Sequence, residues 1–475
     1  MDTQLEAIQE TPKGVSAADN RIATKFKFWP LIRFVLPTMA MSLFMALFKS
    51  VDDGLFVSQF VGKDALSAVN IAFPIVMGTW GIAIMFATGG SAIAGKKIGE
   101  GKPEEARRDF TSVCIIAAIV SAIVALPCMI FMEPIMRLLG ADDSIMGYCT
   151  IYGYISVGTL PFAALSPIFE FFYVTSGAPR MGLVSTILRG AMNIFFDYLF
   201  IVVLKFEVMG VALATAAGDL ATCLLGVFFY CNKKHAVHFA KPSTNWGSLL
   251  GHSCKNGVSE MLNHLAMATT GFIINATMLR LIGKDGVAAN GVIGNLGYIM
   301  SSMFIGFSNG IAPVYSYNYG NQDHKMMRRL VRYSMIFLVV ANCATVIICE
   351  LAARPLISIF ITQAKEPELF QIVLDGLHIY ALTFLFNGFG IATSGMFAAL
   401  SNGKVASIVS VMRNMVLTVV LTVAFSYAFG LTGVWVATPV GEFISACLCM
   451  FLIYKYRNVY GYGKEQPLQV AEVND

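Results

Sequence analysis

The chain has 475 residues, of which 56% are hydrophobic and 13% are charged, and its formal net charge is +4. Ordinary soluble domains carry about 25% charged residues. The composition therefore excludes an ordinary soluble protein and predicts an integral membrane protein. The small positive net charge comes from Lys and Arg in the connections between apolar segments, and it gives no indication of nucleic-acid binding.

Apolar runs of about 20 residues, which is the length that a membrane-spanning helix requires, recur along the whole chain. We predict an all-α fold with twelve transmembrane helices. They lie near residues 31–55, 65–90, 111–132, 148–173, 183–204, 208–230, 257–281, 286–312, 332–352, 376–398, 405–428 and 431–454.

The distribution of Lys and Arg predicts the orientation in the membrane. With twelve spans and a cytoplasmic N-terminus, most Lys and Arg lie in the connections on the inner side, as the positive-inside rule expects. Residues 1–20 are polar and lack the apolar stretch of a cleaved signal peptide. We therefore expect a multi-pass protein of the cytoplasmic (inner) membrane with both termini in the cytoplasm.

The ten cysteines lie mostly inside the predicted spans and form no CxxC pair. We interpret them as small apolar packing residues and predict no metal site. No GxxxxGK[ST] phosphate loop is present. Uphill transport would then draw on an ion gradient, and we expect no cofactor beyond a coupling ion, H⁺ or Na⁺.

The chain repeats itself after about 221–223 residues. An offset of 221 places "VGKDALSA" at 61–68 on "IGKDGVAA" at 282–289, and an offset of 223 places "GVALAT" at 210–215 on "GVWVAT" at 433–438. The offset spans six helices, so both copies have the same orientation. This parallel repeat predicts two pseudo-symmetric six-helix lobes.

The predicted division has five parts. They are an N-terminal cytoplasmic tail (1–27), an N-lobe with helices one to six (28–230), a cytoplasmic linker (231–255), a C-lobe with helices seven to twelve (256–455) and a C-terminal cytoplasmic tail (456–475).

Polar side chains at matched depth in the first lobe predict a cation-coupling site. Asp52, Asn193, Asp197 and Thr215 lie at similar distances from the outer turns, and the two residues of the fifth helix share one face. Their oxygens could hold a small hard cation, or one carboxyl could bind and release a proton. The structural interpretation is that each polar group bonds a neighbouring helix. Two acids at one depth favour the cation-coupling interpretation over the structural one, because intramembrane carboxylates are costly and are usually functional.

The internal repeat tests this interpretation. In the second lobe, Asp52 corresponds to Ile273, and Asp197 corresponds to an aliphatic residue at 420 or 421, whereas the threonine recurs as Thr438. A general structural need would have left acids in both lobes. The sequence therefore predicts a cation site in the first lobe only.

The motifs "VDDGLFVSQFVGKDALSAVNIAFPI", "GGSAIAGKKIGEGKPEEARR", "GAPRMGLVSTILRGAMNIFFDYLFI" and "FSNGIAPVYSYNYG" follow one another at characteristic spacing. With these motifs in this order, the chain resembles a multidrug and toxic compound extrusion (MATE) transporter of the DinF-like branch over residues of about 28–455. The resemblance implies two six-helix bundles and the expulsion of substrates in exchange for H⁺ or Na⁺. It also implies a cation site similar to Asp52, Asn193, Asp197 and Thr215.

Two residues depart from the pattern of this family. Lys49 and Glu170 stand where relatives often have Asn. Lys49 could pair with Asp52 and disfavour Na⁺, which favours proton coupling, or it could extend to the outer surface. We expect both residues to be network partners of the cation site.

The second lobe has its own ionisable residues. Glu260 and His264 lie one turn apart and could form a proton relay, line the substrate path, or simply bond each other. Asp219 and Glu442 occupy equivalent central positions in the sixth and twelfth helices, which favours an architectural role.

The sequence therefore predicts a secondary antiporter that exports organic cations or other amphipathic compounds and acts as a monomer, without enzymatic activity. The alternative is a flippase or exporter for lipid-linked precursors or metabolites. A membrane enzyme would need a nucleophile–base or metal constellation, and none is visible. A passive channel would not need the intramembrane acids.

Overall fold

A computed structural model gives the fold of the chain. It describes residues 21–51, 63–361, 363–364 and 366–463. Within these ranges the side chains of 21, 49–51, 63–67, 70, 73–74, 268 and 284 are outside the description. The described residues are nearly all helical, and none of them is in a β-strand.

The first lobe consists of nine α-helices and a π-helical segment among the described residues. They are α1 (Phe28–Val51), α2 (Lys63–Gly99), α3 (Pro103–Ile130), α4 (Met132–Leu138), α5 (Met146–Gly158), α6 (Leu160–Ala163), α7 (Leu165–Thr175), α8 (Pro179–Asp197), the π segment Tyr198–Val203 and α9 (Glu207–Cys231). A short 3₁₀ turn, Arg21–Ala23, precedes α1.

The second lobe repeats this order. It consists of α10 (Trp246–Ile282), α11 (Lys284–Gly320), α12 (His324–Leu351), α13 (Ala353–Ser358), α14 (Pro367–Ala381), the 3₁₀ turn Leu382–Leu385, α15 (Asn387–Ala399), α16 (Gly403–Val411), the π segment Met412–Leu417 and α17 (Thr418–Lys455). Helix α10 begins inside the segment assigned to the linker, so its first turns are polar and precede its apolar part.

The prediction of twelve transmembrane helices is confirmed. Ten described helices are long and apolar enough to cross a bilayer, and a bent pair from Met146 to Thr175 supplies an eleventh. One of the ten, Gly403–Lys455, has 53 residues, far more than one crossing needs. Gly430 divides it with a φ of 61°, a left-handed conformation that glycine adopts without a Cβ penalty. This long helix therefore crosses twice.

Local chemistry explains where several helices begin. Pro103, Pro179 and Pro367 stand in the first turns of α3, α8 and α14, where a missing N–H costs nothing. Asp323 caps α12 by accepting a hydrogen bond from the N–H of Met326 at 2.8 Å. These starts leave connections of only a few residues between most spans.

The fourth span is bent by 48° between α5 and the pair α6–α7. Pro161 lies at this bend, within the sequence "TLPF", and its ring cannot continue a regular helix. The corresponding tenth span is interrupted by the 3₁₀ turn before "NGFG". Each lobe therefore has one broken span at the equivalent position.

Arginines that the repeat places in register hold the chain segments that leave each lobe. Arg107 donates from Nε to the carbonyl of Ala236, in the linker, at 3.0 Å. Its counterpart Arg328 donates from Nη2 to the carbonyl of Gly463, after the last helix, at 2.6 Å. The same device therefore fixes the linker to the first lobe and the C-terminal segment to the second.

The two lobes meet in close backbone contact near the C-terminal ends of α2, which carries Lys96 and Lys97 in its last turn, and α11. A Cβ at Gly99 would strike the carbonyl of Tyr317, and a Cβ at Gly320 would strike the carbonyl of Lys96. The ammonium of Lys96 also lies over the ring of Tyr319, 5.5 Å from its centroid. This reciprocal contact, which we call the glycine seam, closes the lobes against each other on that side.

We expect the change Gly320→Ala to destabilise the protein, because the added methyl group must displace backbone of the opposite lobe. Overpacking of this kind costs about 1–3 kcal/mol in free energy of unfolding. Gly291→Ala, on the same helix with open space around it, is the matched control. The melting temperature of the purified protein should fall for Gly320→Ala only; equal values for both variants would contradict the seam.

Candidate functional site

Three of the predicted cation-site residues lie on described helices of the first lobe. Asp197 is the last residue of α8 and is fully buried, directly before the π segment. Asn193 is half-buried one turn earlier. Thr215 is exposed on α9, and its hydroxyl donates to the carbonyl of Val211 at 3.1 Å.

The remaining members of the predicted site are not described. Asp52 lies in the segment 52–62, outside the described residues, and the side chain of Lys49 is outside them too, although its backbone belongs to α1. The grouping of Asp52 with Asp197 therefore stays a prediction. What the structure adds is that α1, which carries Lys49, packs against α8, which carries Asp197.

The sequence analysis did not predict the partner of Asp219, which is a buried arginine. Arg189, on α8, places Nη2 2.5 Å from Oδ1 of Asp219, on α9. The guanidinium also lies over the ring of Trp80, 4.7 Å from its centroid. Two turns separate Arg189 from Asp197, so one helix carries both groups. The signal in the sequence was an arginine inside an apolar span, which is costly unless it is paired.

Glu170 lies in the same region of the first lobe. It is only 4% exposed and accepts a hydrogen bond from Oγ1 of Thr186 at 3.5 Å. Its carboxyl is within Coulombic range of both Arg189 and Asp219. Glu170 is thus a second buried carboxyl near the pair of Arg189 and Asp219. Whether this group also reaches Asp52 and Lys49 stays a prediction.

A cavity of ≈ 580 Å³ adjoins this group. Its lining is mostly apolar, with one carboxylate, that of Asp219. The lining residues are Thr159, Phe162, Ala163, Phe196, Phe200, Leu213, Ala216, Ala217, Asp219 and Leu220. Such a surface can accommodate apolar or aromatic molecules.

The second lobe contains the counterpart of the arginine–carboxylate pair. Nε of Arg413 lies 3.7 Å from Oε1 of Glu442, and both side chains are about nine-tenths buried. The two pairs have nearly equal spacing along the chain and join the fifth helix of each lobe to the sixth. They support the architectural interpretation of Asp219 and Glu442, and they identify the partners that the sequence reading lacked.

Glu260 lies close to this second pair. It bonds the side chain of Asn263, on its own helix, and is within Coulombic range of Arg413. Asn263 in turn accepts a short hydrogen bond from Nδ2 of Asn414, the residue after Arg413. His264 lies one turn from Glu260 on α10, half-buried. The relay that these two residues could form stays a prediction.

No group of three or more His, Cys, Asp or Glu among the described residues could hold a metal ion. The polar groups that the structure brings together are carboxyls, guanidinium groups, amides and hydroxyls. Such groups can bind protons and small cations, and in the membrane they must remain nearly neutral as a set.

Comparison with known proteins places this geometry in context. The family model described as MatE matches residues 37–199 and 261–424, once in each lobe. The multidrug export protein MepA of Staphylococcus haemolyticus is 26% identical over 457 residues, covering 93% of this chain and 97% of its own. MepA of Staphylococcus saprophyticus is 24% identical over 448 residues, with the same coverage.

Solved structures show the same fold. A MATE in complex with MaL6 superposes with a TM-score of 0.89 at 20% identity, covering 94% of this chain and all of the other. The outward-facing conformation of a multidrug resistance MATE family transporter of the MOP superfamily superposes with a TM-score of 0.87 at 19% identity, covering 96% and 100%.

We expect Arg189→Gln to destabilise the first lobe strongly, because it leaves Asp219 and Glu170 buried without a cation. Removing one partner of a buried ion pair costs about 3–5 kcal/mol. Arg180→Gln, at an exposed position on the same helix, is the control. Thermal unfolding in detergent should show a large loss for Arg189→Gln alone; a melting temperature like that of the control would contradict a buried pair.

Proposed function

Because the chain belongs to the MatE family of membrane transporters, we propose that it is a secondary antiporter that exports small organic cations or other amphipathic compounds in exchange for H⁺ or Na⁺. The observation that carries this proposal is the fully buried carboxyl of Asp197 inside a membrane helix. A carboxylate there is costly and is retained where it binds something. The printed names of the relatives support export of varied compounds.

In this proposal, Asp197 is the central coupling group, with Asn193, Thr215 and Asp52 as its neighbours. Binding of a cation neutralises the buried charge and relaxes the end of α8, where the helix changes to π geometry. Substrate and coupling ion favour opposite orientations of the lobes, and the difference in their affinities drives exchange. The glycine seam is the contact that must open when the transporter turns inward.

Proton coupling is favoured over sodium coupling. Lys49 lies three residues before Asp52, and Arg189 lies two turns before Asp197. Both are cations that would repel Na⁺ from this half of the first lobe. A proton needs no cage of oxygen ligands, so it can occupy a carboxyl beside these groups.

We also propose that the protein works as a monomer in the cytoplasmic membrane, with both termini in the cytoplasm. The glycine seam then lies on the cytoplasmic side, because it adjoins the basic segment with Lys96, Lys97 and Lys102. A closed seam on that side corresponds to an outward-open transporter.

We expect Asp197→Asn to lower efflux of ethidium from proteoliposomes at least about tenfold, because the variant can no longer change charge when the coupling ion binds. Asp375→Asn, an exposed position on α14, should transport like the unmodified protein. Fluorescence of the trapped dye reports the rate. Full activity of Asp197→Asn would refute the assignment of this residue.

The identity of the ion follows from imposing one gradient at a time. With proteoliposomes that contain ethidium, we expect a pH gradient to drive efflux and a sodium gradient at constant pH to leave the dye in place. The converse result would show that Asp197 and its neighbours bind Na⁺. Flux with neither gradient, down the dye gradient only, would indicate a passive channel.

A further inference from the structure

The polar linker between the two lobes lies against the first lobe over much of its length. Ala236 and Val237 are buried and Phe239 is half-buried, whereas residues 244–248 are exposed. A segment that served only to connect two moving bodies would have no reason to bury apolar side chains against one of them. We call residues 236–243 the linker strap.

Two hydroxyl groups of α3 hold the linker strap by its backbone, in addition to the arginine that bonds its first carbonyl. The N–H of Ala240 donates to Oγ1 of Thr111 at 3.0 Å, and the N–H of Ser243 donates to Oγ of Ser112 at 2.8 Å. Thr111 and Ser112 are both buried, so these bonds are shielded from water. Bonds at both ends of the strap leave its backbone no slack.

Between these bonds, the side chain of Phe239 enters an aromatic cluster of the first lobe. Its ring stacks on that of Phe110, with the centroids 5.3 Å apart, and its N–H donates to the carbonyl of Tyr230 at 2.9 Å. It also meets the rings of Phe169 and Tyr230 edge to face, an attractive geometry for aromatic pairs. These partners lie on α3, α7 and α9, so one ring ties the strap to three helices of the same lobe.

The C-terminal segment is anchored to the second lobe in a similar way, although it does not connect the two lobes. Nδ2 of Asn402 donates to the hydroxyl of Tyr460 at 2.8 Å, and the ring of Tyr460 lies 6.1 Å from that of Phe397. The hydroxyl of Tyr462 donates to the carbonyl of Ile453 at 3.0 Å, and both tyrosines are buried. Anchoring of the segment that leaves the last helix is therefore part of the architecture of each lobe.

The anchoring ends before α10 begins. Thr244 and Asn245 are exposed, and Asn245 stands at the N-cap of α10 without a capping hydrogen bond from its side chain. Gly247, in the first turn, has open space around it. The close backbone contact of α10 with α2 lies further along, where the carbonyl of Ser253 faces Gly89. Thr244 and Asn245, which we call the joint, thus form a weakly held stretch between two anchored segments.

We propose that the linker strap moves with the first lobe as one rigid body, and that the joint takes up the change in angle when the lobes reorient. For this role the inference rests on the proposed antiport, in which the lobes adopt two orientations. Hinges of this kind are a few residues in a loop or at the end of a helix. The backbone angles of two residues then change, whereas the packing of the linker stays as it is.

Hydrogen exchange, read by mass spectrometry at single residues, tests the strap and the joint without any transport. We expect the amides of Ala240 and Ser243 to exchange at least about tenfold more slowly than in an unstructured chain, because both are hydrogen-bonded to a fixed helix. The amides of Thr244 and Asn245 should exchange at nearly the unstructured rate. Equal exchange throughout residues 236–246 would overturn the proposal.

A single hydroxyl can be removed to show what holds the strap. Thr111→Val keeps the shape of the side chain and removes the acceptor for the amide of Ala240, so this amide should exchange at least about tenfold faster. Thr150→Val is the matched control, because the hydroxyl of Thr150 bonds carbonyls of its own helix. Unchanged exchange of Ala240 in Thr111→Val would contradict the assigned role of the hydroxyl and overturn the strap.

Two insertions of Gly-Gly test the role of the joint in transport. An insertion after Thr244 lengthens the joint and leaves the strap intact, so ethidium efflux should stay within about twofold of the unmodified protein. An insertion after Val237 moves Ala240 and Ser243 out of register with α3, so the melting temperature should fall and efflux should drop at least about tenfold. Loss of efflux with a retained melting temperature in the first variant would overturn the joint, and equal tolerance of both insertions would overturn the strap.

The failure of this proposal can be told from the failure of the proposed function. If the unmodified protein shows no ion-driven efflux, the proposed function fails, whereas the exchange pattern still decides whether the strap and the joint exist. If efflux is normal but exchange is uniform over residues 236–246, the strap is refuted and the proposed function stands.

Discussion

The cost of charge in a membrane interior is the constraint on which this structure depends. Each lobe contains an arginine in its fifth helix, and each arginine pairs with an acid in its sixth, Arg189 with Asp219 and Arg413 with Glu442. A buried ion pair adds little net stability, but the removal of one partner strongly destabilises the fold because the other charge stays buried and unpaired. The pairs therefore fix which faces of these helices meet. The remaining polar groups are arranged around them.

Close backbone contact joins the two lobes to each other. Small residues allow membrane helices to approach closely where no hydrophobic driving force exists. At the glycine seam this approach is reciprocal, because Gly99 and Gly320 each face a carbonyl of the other lobe. A contact of backbone atoms and one cation–π interaction has few side chains to repack.

The repeat supplies a common scaffold, and the two lobes differ in their ionisable residues. Broken spans, arginine clamps and buried ion pairs recur in both lobes. Asp197 has only aliphatic counterparts, and Glu260 has no acidic counterpart in α1. The π segments also fall at different places, after Asp197 in the first lobe and at Arg413 in the second. In each lobe the π segment thus lies next to ionisable residues of that lobe.

The sequence by itself determined the membrane class, the twelve spans and the repeat, because hydropathy and self-similarity are properties that can be read along the chain. It also identified most of the costly intramembrane acids, among them Asp197, Glu170 and Glu260. Only the tertiary structure decided their partners. Asp219 meets Arg189 some 30 residues away because two helices present particular faces to each other, and the rotation of a helix about its axis depends on packing with its neighbours, which an apolar stretch does not encode.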